Sequence, residues 1–168
     1  MQQPCLELSD LETKTDMASE FTFPSLDWLQ AVREVFNTTD MYRGAGSGRC
    51  DCVVGLKIEG AVFIVEFEGF GCTGVRQANE AELENVDFYL DMPYELWKSM
   101  LENISANNHA IGEFTLNTLD LGMEQGIAHS KHEDQYRQDL FVRYNQTMQF
   151  FFDASHRIST TFEEIVAS

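Results

Sequence analysis

The segment CDCVVGLKIEGAVFIVEF, residues 50–67, decides the fold. Apolar side chains occupy every second position of residues 50–58, an alternation typical of a strand with one buried face. Glu59 and Gly60 then supply a turn, and residues 61–67 form a second alternating run. The segment therefore predicts an antiparallel β-hairpin at the centre of the fold.

Further strands are predicted on the carboxyl side of this hairpin. Residues 70–76 are interrupted by glycine, which indicates a bulged third strand, and bulges curve a sheet. Val86, Phe88 and Leu90 alternate with polar neighbours as a fourth strand, and residues 114–118 alternate as the last one. We predict a curved, mainly antiparallel sheet of about five strands.

Three helices are predicted around the sheet. The first begins at Pro24-Ser25 and the second at Met92-Pro93, where proline suits the first helical position. A third, long helix covers residues 133–156. Each has an apolar stripe at helical spacing, and the stripe of the third is rich in aromatic residues: Tyr136, Leu140, Phe141, Tyr144, Met148, Phe151 and Phe152. The pattern predicts the α+β class, with helices covering one face of the sheet.

The length and composition predict one globular domain with its own core. The chain has 168 residues, of which 43% are hydrophobic and 23% charged. Residues 1–23 are acidic and lack sustained periodicity, so they are interpreted as a flexible arm. The domain is expected to cover residues 24–158, with a C-terminal tail at 159–168.

The charge and hydropathy restrict the partners. The formal net charge is −17, which repels phosphate backbones and argues against nucleic acid. No apolar run approaches the length of about 20 residues that a transmembrane helix needs. The N-terminus lacks the order of a signal peptide, so a cytoplasmic location is expected.

The residues capable of metal or nucleotide chemistry do not form a recognisable site. His129, His132 and Glu133 have a spacing that could hold a metal, but further ligands are missing, so a surface cluster is the prediction. The glycines of residues 44–48 form neither a dinucleotide-binding nor a phosphate-binding motif and predict a loop, with a ligand-gating loop as the alternative. Neither a metal nor a cofactor is expected. The four cysteines are interpreted as free thiols packed as small apolar side chains: Cys5, Cys50, Cys52 and Cys72.

The bulky apolar side chains of the sheet and helices suggest a binding layer. Adaptable aromatic and methionine walls are typical of small-molecule pockets, although the same residues could also fill a solid core. The candidate ligand-binding residues are Phe63, Val65, Phe67, Phe88, Leu90, Trp97, Met100, Tyr144, Met148, Phe151 and Phe152.

Two segments of the chain resemble the sterol carrier protein-2 (SCP2-like) family. Residues 54–67, VGLKIEGAVFIVEF, look like the family's hairpin. Residues 86–101, VDFYLDMPYELWKSML, look like its strand followed by a helix with a tryptophan anchor. The likeness extends over residues 28–121, while residues 108–113 depart from the family's glycine- and lysine-rich stretch. The resemblance implies non-covalent binding of a fatty acyl chain, a sterol or another lipid in a tunnel between sheet and helices.

Two other functions remain open from the sequence. A steroid-isomerase-like enzyme would use a carboxylate such as Glu66, Asp87 or Asp91 with Tyr89 beside an apolar pocket, although strand alternation turns these carboxylates outward. An accessory subunit would use the acidic arm and the aromatic helix to bind a protein partner or a second copy as a homodimer.

Overall fold

The computed structural model describes residues 20–39, 49–131 and 135–162, with the backbone alone at 135–138. The strands are β1 (Glu20–Phe23), β2 (Cys52–Ile58), β3 (Ala61–Glu68), β4 (Gly71–Ala78), β5 (Phe88–Asp91), β6 (Ala128–His129) and β7 (Ser159–Phe162). The α-helices are α1 (Leu26–Thr38), α2 (Tyr94–Asn107), α3 (Leu116–Gly122) and α4 (Gln135–Asp153). Short 3-10 helices cover Glu80–Asn85, Gly112–Phe114 and Ala154–Arg157.

A five-stranded sheet in the order β4–β3–β2–β5–β6 forms the centre of the molecule. The predicted hairpin is confirmed: β2 and β3 pair antiparallel from Cys52 opposite Phe67 to Ile58 opposite Ala61. Only β2 and β5 run parallel, so the sheet is mainly antiparallel, and the α+β prediction is confirmed. The register of β3 against β4 shifts between Glu66 and Phe67, which is the bulge that the glycines predicted.

The two faces of the sheet are covered differently. One face carries the side chains that join the four α-helices in the main core, and three of these helices correspond to the predicted ones. The 3-10 helix Glu80–Asn85 covers part of the other face by packing Leu83 against Val62 and Ile64. Gly55 permits this close approach, because a Cβ atom there would lie 2.5 Å from Leu83 Cδ2.

The first two predicted helices are confirmed, and each has a local reason for its start or end. Ser25 Oγ accepts a hydrogen bond of 3.1 Å from the Trp28 backbone N–H and so caps α1. Asn108 ends α2 in the left-handed conformation, with φ of 70°, and donates its N–H to the Ile104 carbonyl. The long third helix runs from 135 to 153 among the described residues, and its continuation to 157 is 3-10 helix.

The predicted last strand at residues 114–118 is wrong. These residues end a 3-10 helix and begin α3, because Thr115 and Thr118 each accept the other's backbone N–H and nucleate a helical turn. Leu116 and Leu119, three positions apart, become the buried residues of α3. The edge strand of the sheet is instead the short β6, which pairs with β5.

The predicted boundaries of the N-terminal arm and C-terminal tail are also corrected. Residues 20–23 and 159–162 are not free segments but the parallel strands β1 and β7, which form a two-stranded ribbon. Phe23 is only 1% exposed and belongs to the main core, so the ribbon is anchored to the core through this ring. The rest of the predicted arm (1–19), the glycine loop (44–48) and the end of the tail (163–168) lie outside the described residues.

Candidate ligand-binding site

The structure brings all eleven predicted ligand-binding residues into one layer between the sheet and the α-helices. Strands β3 and β5 supply five of them, α2 supplies Trp97 and Met100, and α4 supplies the other four. None is more than 7% exposed. The side chain of Tyr136, predicted to share the α4 stripe, lies outside the described residues.

This layer is filled by its own side chains. Aromatic rings lie edge to face at its centre, with the Phe67 and Phe151 centroids 5.6 Å apart and those of Phe88 and Phe141 5.8 Å apart. An apolar crevice remains between Phe23, Trp28, Phe63 and Phe152, but it has no room for a water molecule. The predicted walls are thus in contact with one another in this conformation.

Two fully buried tryptophans in the layer differ in their hydrogen bonding. Trp28 Nε1 donates to Thr160 Oγ1 of β7 at 3.0 Å. Trp97 Nε1 is buried and has no acceptor among the described residues. The Trp97 ring lies 6.1 Å from Phe23 and 5.6 Å from Phe152, both of which also border the apolar crevice. The Trp97 ring thus contacts two rings that border the crevice, although Trp97 itself does not line it.

Sequence reasoning missed two ring systems of this site. Phe23 was placed in the arm, and Trp28 was recognised only as part of the first helix stripe. The two rings are 4.9 Å apart and close one side of the crevice. Phe21 and Phe23 are two residues apart in the sequence, the spacing of side chains on one face of a strand. This alternation could have predicted the short strand.

The carboxylates considered for catalysis lie away from this layer. Glu66 pairs with Val53, and Asp91 pairs with Lys57. Paired residues of neighbouring strands share a face of the sheet, so both carboxylates lie on the face opposite the α-helices. Asp87 Oδ2 accepts the Val53 backbone N–H at 2.8 Å and so fixes the start of β2. Tyr89 shares the outer face, and its ring is tilted against that of His129, at 5.7 Å between ring centroids.

A separate cleft with a volume of about 870 Å³ lies on the other side of α4; it is called the polar cleft after its amide and ionisable side chains, although apolar atoms form more of its surface than polar atoms do. Two buried side chains of α4 form its floor. Gln149 Oε1 accepts the Leu116 backbone N–H at 2.6 Å, and Asp153 Oδ1 accepts the N–H of Ala110 at 3.1 Å. The Gln149 amide also donates to Asp153.

Burial raises the pKa of the Asp153 carboxyl above its usual value. The lining residues are Asn107, Asn108, His109, Ala110, Thr115, Asn117, Asn145, Gln146, Gln149, Phe150, Asp153, His156 and Arg157.

The thiols and histidines of the described residues do not assemble a metal site. Cys50 and Cys52 lie with their sulfur atoms 3.5 Å apart and, like Cys72, are free and buried. Burial raises the pKa of the Cys72 thiol to about 12, which keeps it protonated and unreactive at neutral pH. No group of three or more potential ligands occurs within the described ranges, and Cys5, His132 and Glu133 fall outside them.

Comparison with known proteins yields no relative. No protein-family model, curated protein or solved structure matches the chain. Among the residues that the structure describes, no helix combines the length and apolar character needed to cross a bilayer.

Proposed function

We propose that this protein binds an apolar small molecule, such as a fatty acyl chain or a sterol, without covalent chemistry, between the five-stranded sheet and the α-helices. The observation that carries the proposal is the unpaired indole N–H of Trp97 within the apolar layer. A ligand with one hydroxyl or carbonyl oxygen would accept this hydrogen bond while its hydrocarbon part packed against the aromatic rings. The resemblance of residues 54–67 and 86–101 to sterol carrier proteins supports the same ligand class.

The energetics of the two tryptophans explain why the unpaired donor favours a ligand. A buried donor without an acceptor costs about 1–3 kcal/mol relative to a paired one. The indole N–H of Trp28 does not incur this cost, because it donates to Thr160. The indole N–H of Trp97 incurs it, since it has no acceptor among the described residues. A ligand oxygen at Trp97 Nε1 would remove the cost, so the hydrogen bond would add to the free energy of binding.

Ligand entry requires the side chains of the layer to separate, because the crevice between Phe23, Trp28 and Phe152 does not admit water. Met92, Met100 and Met148 belong to this core, and unbranched thioethers repack readily around an irregular ligand. The wall most easily displaced is the ribbon of β1 and β7, since two four-residue strands are marginally stable by themselves. We therefore place the entry beside Phe23, where the ribbon meets α1.

The two alternative functions have less support. The catalytic alternative needs a carboxylate facing the apolar layer, but Glu66 and Asp91 share the opposite face of the sheet. The protein-binding alternative relies on the acidic arm, of which residues 1–19 lie outside the described residues, and on the aromatic helix, whose aromatic stripe is buried in the core. The large apolar side chains exposed among the described residues identify no particular partner: Phe70, Ile111, Leu121 and Val142.

The proposal is tested by native mass spectrometry with oleic acid, dodecanoic acid and cholesterol. The wild-type protein is expected to form a saturable one-to-one complex with at least one of the three. Trp97→Phe keeps an aromatic ring and removes the donor, so the affinity should fall about tenfold, the equivalent of one hydrogen bond of about 1.4 kcal/mol. The urea midpoint of each variant shows whether it is folded.

Trp28→Phe is the matched control because it removes the same ring area together with a donor that already has a partner. This variant should lose stability but retain more of the ligand affinity than Trp97→Phe. Absence of a complex with all three lipids would reject the proposed function. Equal weakening by the two variants would reject Trp97 as the anchoring donor.

A further inference from the structure

The polar cleft behind α4 is independent of the apolar layer. Asn145, Gln149 and Asp153 line it, whereas Tyr144, Met148 and Phe152 of the same helix point into the core. Helix α4 thus has one face in the core and another that lines the cleft. The volume of about 870 Å³ is within the range of about 300–1,000 Å³ common among small-molecule sites.

Carboxamides dominate the lining of the cleft. Six of them surround it: Asn107, Asn108, Asn117, Asn145, Gln146 and Gln149. A carboxamide has two donor hydrogens and an acceptor oxygen, which is the combination that hydroxyl groups need, because a hydroxyl both donates and accepts. Gln149 uses both its oxygen and its amide group within the protein, and Asn107 and Asn145 each donate to a backbone carbonyl, so a ligand would meet chiefly the amides of Asn108, Asn117 and Gln146. The cleft is therefore suited to a ligand that carries several hydroxyl groups.

The floor of the cleft is already fixed, so it does not have to reorganise when a ligand binds. Gln149 and Asp153 are 7% and 4% exposed, and their hydrogen bonds hold the backbone at Ala110 and Leu116. Asn117 and Gln146, by contrast, are exposed at the rim. A rigid floor with accessible amides at the rim reduces the entropic cost of binding.

The charges around the cleft favour a neutral ligand. Arg157 is cationic, but burial and the neighbouring charges of Arg157 and His109 lower the pKa of His156, which favours its neutral form. The C-terminal ends of α2 and α4 contribute negative dipole ends at the same place. The net charge of −17 opposes anions over the whole surface. Both positive and negative groups thus surround the cleft, so their combined electrostatic potential strongly favours neither an anionic nor a cationic ligand.

Apolar atoms form the larger part of the cleft surface. Phe150 is half-buried, and Ala110 lies on the opposite wall, formed by the loop after α2. The C–H groups of a sugar or cyclitol ring can pack on an aromatic side chain while the hydroxyl groups reach the surrounding amides.

We infer that this cleft binds a neutral polyhydroxylated small molecule, of the size of a monosaccharide or disaccharide. The site does not depend on the apolar layer, and either site can fail its test without affecting the other.

The inference is tested by ¹H–¹⁵N NMR titration of the full chain with glucose, galactose, ribose, myo-inositol, maltose and trehalose. At least one compound should cause saturable shifts in the side-chain amide signals of Asn117 and Gln146 and in the backbone signal of Ala110. Gln146→Ala should weaken that binding about tenfold, as expected for one hydrogen bond of about 1.4 kcal/mol. Gln30→Ala is the matched control, since Gln30 is an exposed glutamine on α1 outside the cleft, and it should leave the affinity unchanged.

Two results would overturn the inference. The first is the absence of saturable shifts with all six compounds in a protein whose spectrum shows it to be folded. The second is a saturable response of the same signals to inorganic phosphate or citrate but to none of the six, which would make the cleft an anion site.

Discussion

Asp153 is a buried carboxyl group that organises the polar cleft. It lies at the end of α4, is 4% exposed, and accepts hydrogen bonds from the Ala110 backbone N–H and the Gln149 amide. Burial raises its pKa more strongly than these hydrogen bonds and the charge of His109 lower it. The folded protein therefore holds the proton more tightly than the unfolded chain does.

This pKa shift predicts a pH-dependent stability. Between the unfolded value of 3.8 and the higher folded value, the folded state binds more protons, so its stability falls as pH rises through that window and stays lower above it. Asp153→Asn retains an oxygen acceptor without a charge. The variant should be more stable than the wild type at pH 7, and the difference should shrink as pH falls toward 3.8.

Urea unfolding of the wild type, Asp153→Asn and Asp153→Ala between pH 4 and 8 measures the effect. The alanine variant leaves the Ala110 N–H without its acceptor, so it should lose about 1–3 kcal/mol near pH 4. The loss should be smaller at pH 8, where the wild type bears the cost of the buried Asp153 carboxylate and the alanine variant does not. A variant Asp153→Asn that is less stable than the wild type at pH 7 would contradict the assigned direction of the shift.

At the scale of elements, the length of a periodic pattern determined how well the sequence predicted the structure. The hairpin was predictable because its alternation persists over residues 50–67. The alternation at 114–118 is short, and local capping by Thr115 and Thr118 favours a helix instead. Leu116 and Leu119 are three residues apart, a spacing typical of a helix. The interpretation of residues 114–118 as an alternating strand overlooked this signal for α3.

The capping of α3 gives the second prediction. Thr115 Oγ1 accepts the Thr118 backbone N–H at 3.1 Å, so Thr115→Ala should destabilise the protein by about 0.5–2 kcal/mol. Thr115→Ser keeps the hydroxyl group and is the matched control. Hydrogen exchange should accelerate first at the amides of α3 in the alanine variant. Equal urea midpoints for the alanine and serine variants would show that the cap contributes nothing.

At the scale of the whole molecule, long-range pairing was the feature that local patterns did not reveal. The β1–β7 ribbon joins Thr22 to Thr161, 139 positions apart in the chain, whereas periodicity describes only neighbours. The same limitation applies to the candidate site. The sequence identified the side chains that share the apolar layer, but whether they leave a cavity depends on how their shapes fit together in three dimensions.

The ribbon provides the final prediction, because it also supplies the acceptor for Trp28. Thr160→Val preserves the shape of the side chain but leaves the buried Trp28 N–H unpaired, which should cost about 1–3 kcal/mol. Thr161→Val is the control on the same strand, since among the described residues the Thr161 hydroxyl bonds the exposed Thr22 hydroxyl, at 3.3 Å, and its loss should change stability by less than about 0.5 kcal/mol.

Urea unfolding followed by tryptophan fluorescence distinguishes the two variants and tests the pairing itself. In a Trp28→Phe background the donor is gone, so Thr160→Val should lose most of its effect, as a double-mutant cycle requires for two residues in direct contact. An undiminished effect in that background would mean that Thr160 stabilises the ribbon independently of Trp28. Agreement with the cycle would give the measured cost of an unpaired indole N–H in this core, which is the quantity that a ligand oxygen at Trp97 is proposed to recover.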